Sequence, residues 1–152
     1  MKLLSELSEQ ELIEEAKNIL YKRMLNEGKE LDSPKAVRDY LHLALGEEER
    51  EVFAVIFLNN RHQVIEFEKM FFGTIDSSAV YPREIAKAAL KHNSAALIIA
   101  HNHPSGDMTP SNADKQITTR IVDAMGLLDI RVLDHFIVGN DSPYSFAEHG
   151  LL

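Results

Sequence analysis

The sequence predicts an α/β domain built on a mixed sheet and preceded by helices. Three observations carry that expectation. Glu51–Leu58, EVFAVIFL, is apolar at nearly every position, as a central strand covered on both faces would be. From there on, runs of strand and helix periodicity follow in the order β-β-α-β-α-β. A chain of 152 residues, 45% hydrophobic and 26% charged, suits one ordinary domain with a buried core.

Before that domain, Ser8-Glu9-Gln10-Glu11 fits a capping box. Leu12, Ile13, Ala16, Ile19, Leu20 and Leu25 then recur at helical spacing, and the helix is expected to end near Gly28. Its apolar stripe needs a partner, either its own domain or a second copy of the chain, so a homodimer is one expectation. Gly28–Asp32 reads as a connector. Ser33 is placed to cap a second helix that has Pro34 at its first position. Ala36, Val37, Tyr40, Leu41, Ala44 and Leu45 form the apolar face of this helix, Gly46 ends it, and Glu47–Glu49 reads as an exposed loop. The chain accordingly divides into residues 1–31, an amphipathic helix with its connector, and residues 32–152, the main domain.

Within the main domain, Asn59-Asn60-Arg61-His62 reads as a turn, because Asn tolerates positive φ, with His62 solvated. Val64–Phe72 resumes as the hairpin partner, with Glu66 and Glu68 on one face and Ile65 and Phe67 on the other. Pro82 opens a crossover helix that runs to about Asn93. Ala95–Ala100, AALIIA, is a short buried strand leading into His101. Ser111 begins a further helix with Ile117, Ile121, Val122 and Met125 on one side and Gly126 at its end. Ile130–Val138 is a strand, and Tyr144–Ala147 a last short one. Asp134 and His135 interrupt the apolar pattern of that strand. Such a pair either supports a nearby site or satisfies a local hydrogen bond, and the local bond is the expected reading.

Composition narrows the function. The net charge is −8 and no Lys/Arg cluster stands out, which disfavours direct nucleic-acid binding through phosphates. There is no cysteine, so disulfides and thiolate zinc sites are excluded. No apolar run approaches the ~18 residues of a membrane span, and the N-terminus lacks the pattern of a signal peptide. The expected location is the cytoplasm, with no membrane partner.

The stretch with chemistry in it is Ala100–Asp114, AHNHPSGDMTPSNAD. On a strand, His101 and His103 point to the same face. Pro104 ends the ladder, Gly106 permits a bend, and Asp114 falls one turn into a helix. Two imidazoles and a carboxylate suit zinc, and ligand type alone leaves iron, manganese or nickel open. Ser111 and Asp114 also suit a helix N-cap and its third position without any metal. A hydrolase needs a base as well. Glu51, Glu66, Glu68 and Glu84 are the acids available, and spacing does not choose among them.

His101-x-His103-Pro104 followed by Ser111-x-x-Asp114 resembles the H-x-H-x7-S-x2-D pattern of JAMM/MPN metalloproteases. His101-Asn102-His103-Pro104-Ser105-Gly106 is similar to the RadC family signature within that superfamily. Phe72-Gly73-Thr74, Pro82-Arg83-Glu84-Ile85, Leu133-Asp134-His135, Val138-Gly139 and Ser145-Phe146 resemble RadC proteins too. The resemblance runs from about Asp32 to Leu152. It implies a JAMM/MPN, cytidine deaminase-like, three-layer fold: a mixed curved sheet flanked by helices, here with an N-terminal helical extension. It further implies one Zn²⁺ per chain held by His101, His103 and Asp114. Ser111 would bond the zinc water or the oxyanion, and Glu51 on the first strand would be the general base. The implied activity is hydrolysis of a peptide or isopeptide bond in an unidentified substrate. The alternatives are a non-catalytic MPN binding or scaffold module and a DNA-repair-associated accessory protein. Longer RadC proteins carry a helix-hairpin-helix region, and in its place residues 1–31 hold a single acidic helix, which reads as a short, stand-alone form.

Overall fold

The computed structural model describes residues 2–25, 34–74 and 79–152. After a 3₁₀ turn at Leu4–Glu6, the elements are α1 (Glu9–Leu25), α2 (Pro34–Gly46), β1 (Val52–Leu58), β2 (Val64–Phe72), α3 (Pro82–Lys91), β3 (Ala96–Asn102), α4 (Asn112–Gly126), β4 (Arg131–Val138) and β5 (Tyr144–Ser145). The sheet order is β2-β1-β3-β4-β5. β1 is antiparallel to β2 and β3, β3 is parallel to β4, and β5 is antiparallel to β4. The expected mixed sheet is present, and α3 is the crossover that carries the chain past β1.

Strand alternation sorts the core into two layers. Val52, Ala54, Ile56 and Leu58 of β1 and Ala96, Ile98 and Ala100 of β3 pack against Met24 of α1 and Val37, Tyr40, Leu41, Ala44 and Leu45 of α2. Phe53, Val55, Phe57, Leu97 and Ile99 face the other way, onto Ile85 and Ala89 of α3 and Ile117, Ile121 and Met125 of α4. β1 and β3 are therefore buried along their whole length, as their two-sided apolar composition requires.

Several local expectations need correction. The capping box at Ser8 and Glu11 forms. However, α1 meets the core through Leu20, Tyr21 and Met24, while Leu12 and Ile19 stay exposed. The expected end at Gly28 and the Ser33 cap lie outside the described residues. In the hairpin turn the positive φ belongs to His62, at 57°, not to an asparagine. Asn59 instead uses its side-chain oxygen to accept the Arg61 and Gln63 N–H groups, and the half-buried His62 meets Arg131 at 2.7 Å. A bulge in β2, where Leu58 pairs with Val64 but Phe57 pairs with Glu66, sends Ile65 and Phe67 to opposite core layers. Glu48 is not simply exposed: it pairs with Lys69 at 2.7 Å.

Candidate metal centre

The register between β1 and β3 builds the site. Phe53 pairs with His101, and from Phe53 to Leu58 each step up β1 is matched by one step down β3, without a slip. Continued one step beyond β1, the same register sets Glu51 opposite His103. Alternation puts His103 on the α4 side of the sheet with Phe53 and His101, and the Glu51 charge acts on His103. Asn102 points to the opposite side. It accepts the Val52 N–H at 2.7 Å and donates to the Arg50 and Glu48 carbonyls at 3.0 and 3.3 Å. The residue between the two histidines thus ties down the segment that carries Glu51.

α4 supplies the third group. Ser111 is its N-cap: its Oγ accepts the Asp114 N–H at 3.0 Å, and the Asp114 carboxylate accepts the Ser111 N–H at 2.8 Å. The cap reading and the ligand reading of Asp114 are thus compatible, because the capped carboxylate also faces both imidazoles. His101 Nε2 lies 3.0 Å from His103 Nε2 and 3.1 Å from Asp114 Oδ1, and His103 Nε2 lies 3.1 Å from Asp114 Oδ2. Among the described residues, these three form a group that could hold one metal ion. Ligands set tetrahedrally at ~2.0–2.1 Å from zinc stand about 3.3 Å apart, close to the spacing seen. The donor set therefore fits zinc. His101 and Asp114 are buried and His103 is half-buried, so the group opens to solvent on the His103 side.

The loop from His103 to Asp107 fixes the second imidazole. His103 Nδ1 meets the Asp107 carbonyl at 2.6 Å. A carbonyl only accepts, so Nδ1 carries the proton and Nε2 is the atom offered to a metal. Gly106 sits at φ +87°, and its carbonyl would lie 2.5 Å from a Cβ placed on Gly139. The loop thus closes directly onto the end of β4, where His103 N–H donates to the Val138 carbonyl at 2.9 Å.

Electrostatics follow from these contacts. Burial would raise the Asp114 carboxyl, but the His101 and His103 imidazoles beside it, together with the Ser111 N–H, outweigh it and hold the group well below the usual carboxylate range. The Asp114 hydrogen bond raises His103 against the opposing effect of burial, and the nearby Glu51 charge adds to the rise. Full burial pushes His135 well below the ordinary histidine value.

Of the four acids that spacing left open, Glu51 is the one whose charge acts on His103. Glu66 pairs with Phe57, about four strand residues or ~13 Å along β1 from Phe53. Glu68 is engaged with His92 at 2.6 Å, and Glu84 with Arg83 at 3.9 Å. The pair within β4 divides. Asp134 has the expected local role, accepting from His135 N–H, Ser145 Oγ and Ala147 N–H. His135 does not: its Nε2 lies 2.8 Å from His101 Nδ1. A slip in the β3–β4 register, where Leu97 pairs with Val132 but Ile98 with Asp134, changes the parity of β4 and turns His135 toward the site. Nothing in the sequence announces that slip.

Comparison with known proteins agrees with this architecture. A protein-family model described as the RadC-like JAB domain matches residues 31–151. The chain is 53% identical to a UPF0758 protein of Tolumonas auensis over 138 residues, covering 91% of this chain and 62% of that protein. It is 51% identical over 144 residues to a UPF0758 protein of Vibrio cholerae, covering 95% and 90%, and to UPF0758 protein YeeS of Escherichia coli K12, covering 95% and 97%. The chain thus spans less than two thirds of some relatives and nearly all of others. The family suggested by His101–Gly106 and its flanks is the one the matches return: this chain belongs to the RadC-like JAB domain family.

Proposed function

We propose that the chain is a zinc-dependent metallopeptidase that hydrolyses a peptide or isopeptide bond. The observation that carries this reading is the convergence of His101, His103 and Asp114, and the Glu51 charge acting on His103 supports it. Zinc held by these three residues would lower the pKa of a bound water from ~15.7 toward 7 and polarise a carbonyl. Glu51 takes one proton from the attacking water and returns it to the amide nitrogen as the C–N bond breaks. The water oxygen ends on the acyl carbon and its protons are shared between acid and amine, so the step balances. Ser111 accepts the Asp114 N–H and keeps its own hydroxyl proton, which it donates to the substrate carbonyl oxygen as that oxygen becomes negative. Asp114 neutralises the positive charge gathered between the imidazoles.

The test is metal analysis combined with hydrolysis of a peptide and isopeptide library. Wild type should hold one zinc and cleave. His101→Ala should lose both properties. Glu51→Gln should keep zinc and lose about 10²–10⁴-fold in rate, the usual contribution of a general base. Stoichiometric zinc without any cleavage would overturn the peptidase reading in favour of a binding module.

A further inference from the structure

His135 is fully buried, and the metallopeptidase reading gives it no task. It lies between the rings of Phe53 and Phe146, with centroids at 5.8 and 4.4 Å. Its two nitrogens have one neighbour each: Nδ1 meets Thr118 Oγ1 at 2.6 Å, and Nε2 meets His101 Nδ1 at 2.8 Å. Thr118 Oγ1 also contacts the Asp114 backbone carbonyl at 2.7 Å, one turn back in α4.

Proton counting from the Asp114 carbonyl through Thr118 to His135 favours one arrangement. The hydroxyl has a single proton and the carbonyl can only accept, so Thr118 donates to Asp114. Thr118 must then accept from His135, which places the His135 proton on Nδ1. A buried neutral imidazole protonated at Nδ1 presents a lone pair at Nε2. That lone pair accepts from His101 Nδ1–H and leaves His101 Nε2 aimed at His103 and Asp114 without a proton. The reverse arrangement sets two oxygen lone pairs against each other at Thr118 and puts a proton on His101 Nε2, where it blocks coordination.

We propose that His135, itself set by Thr118, is a positioning residue that holds the His101 imidazole in the Nδ1–H form and so presents Nε2 to a metal. The inference rests on the metal-site reading above. It also links the first turn of α4 twice to the site, through the Asp114 carboxylate and through the Asp114 carbonyl by way of Thr118 and His135.

The test uses the full chain with three readouts: ring ¹⁵N shifts of the metal-free protein, zinc affinity by chelator competition, and thermal unfolding. The expected spectrum shows His101 and His135 each protonated at Nδ1 with a bare Nε2. His135→Leu removes the acceptor and should weaken zinc binding about 10–100-fold, the usual cost of losing a ligand's outer partner. His135→Gln, whose amide oxygen can accept from His101, should recover much of that loss. Thr118→Val should keep the fold and allow the other His135 form to appear in the spectrum, which keeps the test decisive if His135→Leu fails to fold. Zinc affinity unchanged in a folded His135→Leu, or a proton on Nε2 of His101 in zinc-binding wild type, overturns the positioning role alone. Wild type that takes up no zinc overturns the metal reading on which it rests.

Discussion

Asn102→Ala tests the joint between the metal ligands and their base. Asn102 is 3% exposed and makes three hydrogen bonds to the segment leading into β1. Val52 is fully buried, so no water replaces the lost acceptor for its N–H, at a cost of about 1–3 kcal/mol. The Glu48 and Arg50 carbonyls belong to half-buried and exposed residues, where water can substitute, so each lost bond costs about 0.5–1 kcal/mol. Together these give about 2–5 kcal/mol. In a chain of this size 1 kcal/mol moves Tm by about 2–4 °C, so the variant should melt about 4–20 °C lower. None of the three bonds touches His101, His103 or Asp114, so zinc affinity should stay near that of wild type. Hydrolysis should fall, because the segment carrying Glu51 loses its ties. Thermal unfolding, zinc titration and the cleavage assay read the three effects separately. A Tm shift below about 2 °C, or a loss of zinc as complete as that of His101→Ala, would contradict this role for Asn102.

Other outcomes follow from the same geometry. In metal-free protein kept in chelator, Asp114→Asn should cost more stability near pH 5.5 than near pH 9. The Asp114 hydrogen bond raises folded His103 above its ordinary value of 6.5, so that contribution is complete below about 6.5 and is lost as pH rises through the folded value. Denaturant unfolding at the two pH values checks this, and an equal or larger cost at the higher pH would contradict it. Gly139→Ala should destabilise by about 1–3 kcal/mol and weaken zinc binding, because its Cβ would lie 2.5 Å from the Gly106 carbonyl oxygen and displace the loop that holds His103. A thermal scan and zinc titration indistinguishable from wild type would refute the close packing.

The sequence disclosed most readily what depends on local periodicity. The two-sided apolar runs of β1 and β3 and the Ser111 cap with Asp114 were all legible, because strand alternation and helix capping act over two to four residues. Flanking motifs were enough to identify the family. What stayed hidden depends on pairing across strands. The Glu51 charge acts on His103 across the β1–β3 pairing, which no spacing within either strand encodes. His135 reaches His101 only because a slip beside Ile98 and Asp134 reverses the parity of β4. Without that slip Asp134 would face α4, and the local-bond expectation for the pair would have had no exception. Asn102 escaped notice for a related reason: its task is on the face opposite the histidines that flank it. Tyr21 and Met24 were missed in α1 because the stripe chosen for its core face was displaced around the helix from the one that packs.

In the proposed enzyme His101, His103 and Asp114 hold one metal ion with Glu51 beside its open position. A crystal structure of the zinc-loaded chain with anomalous scattering tests it most directly. The expected map shows a single strong zinc peak per chain, bound by His101 Nε2, His103 Nε2 and an Asp114 oxygen, with the Glu51 carboxylate within hydrogen-bond reach of the remaining ligand. A peak elsewhere, no peak between these three residues, or a Glu51 side chain directed away from the ion would contradict it.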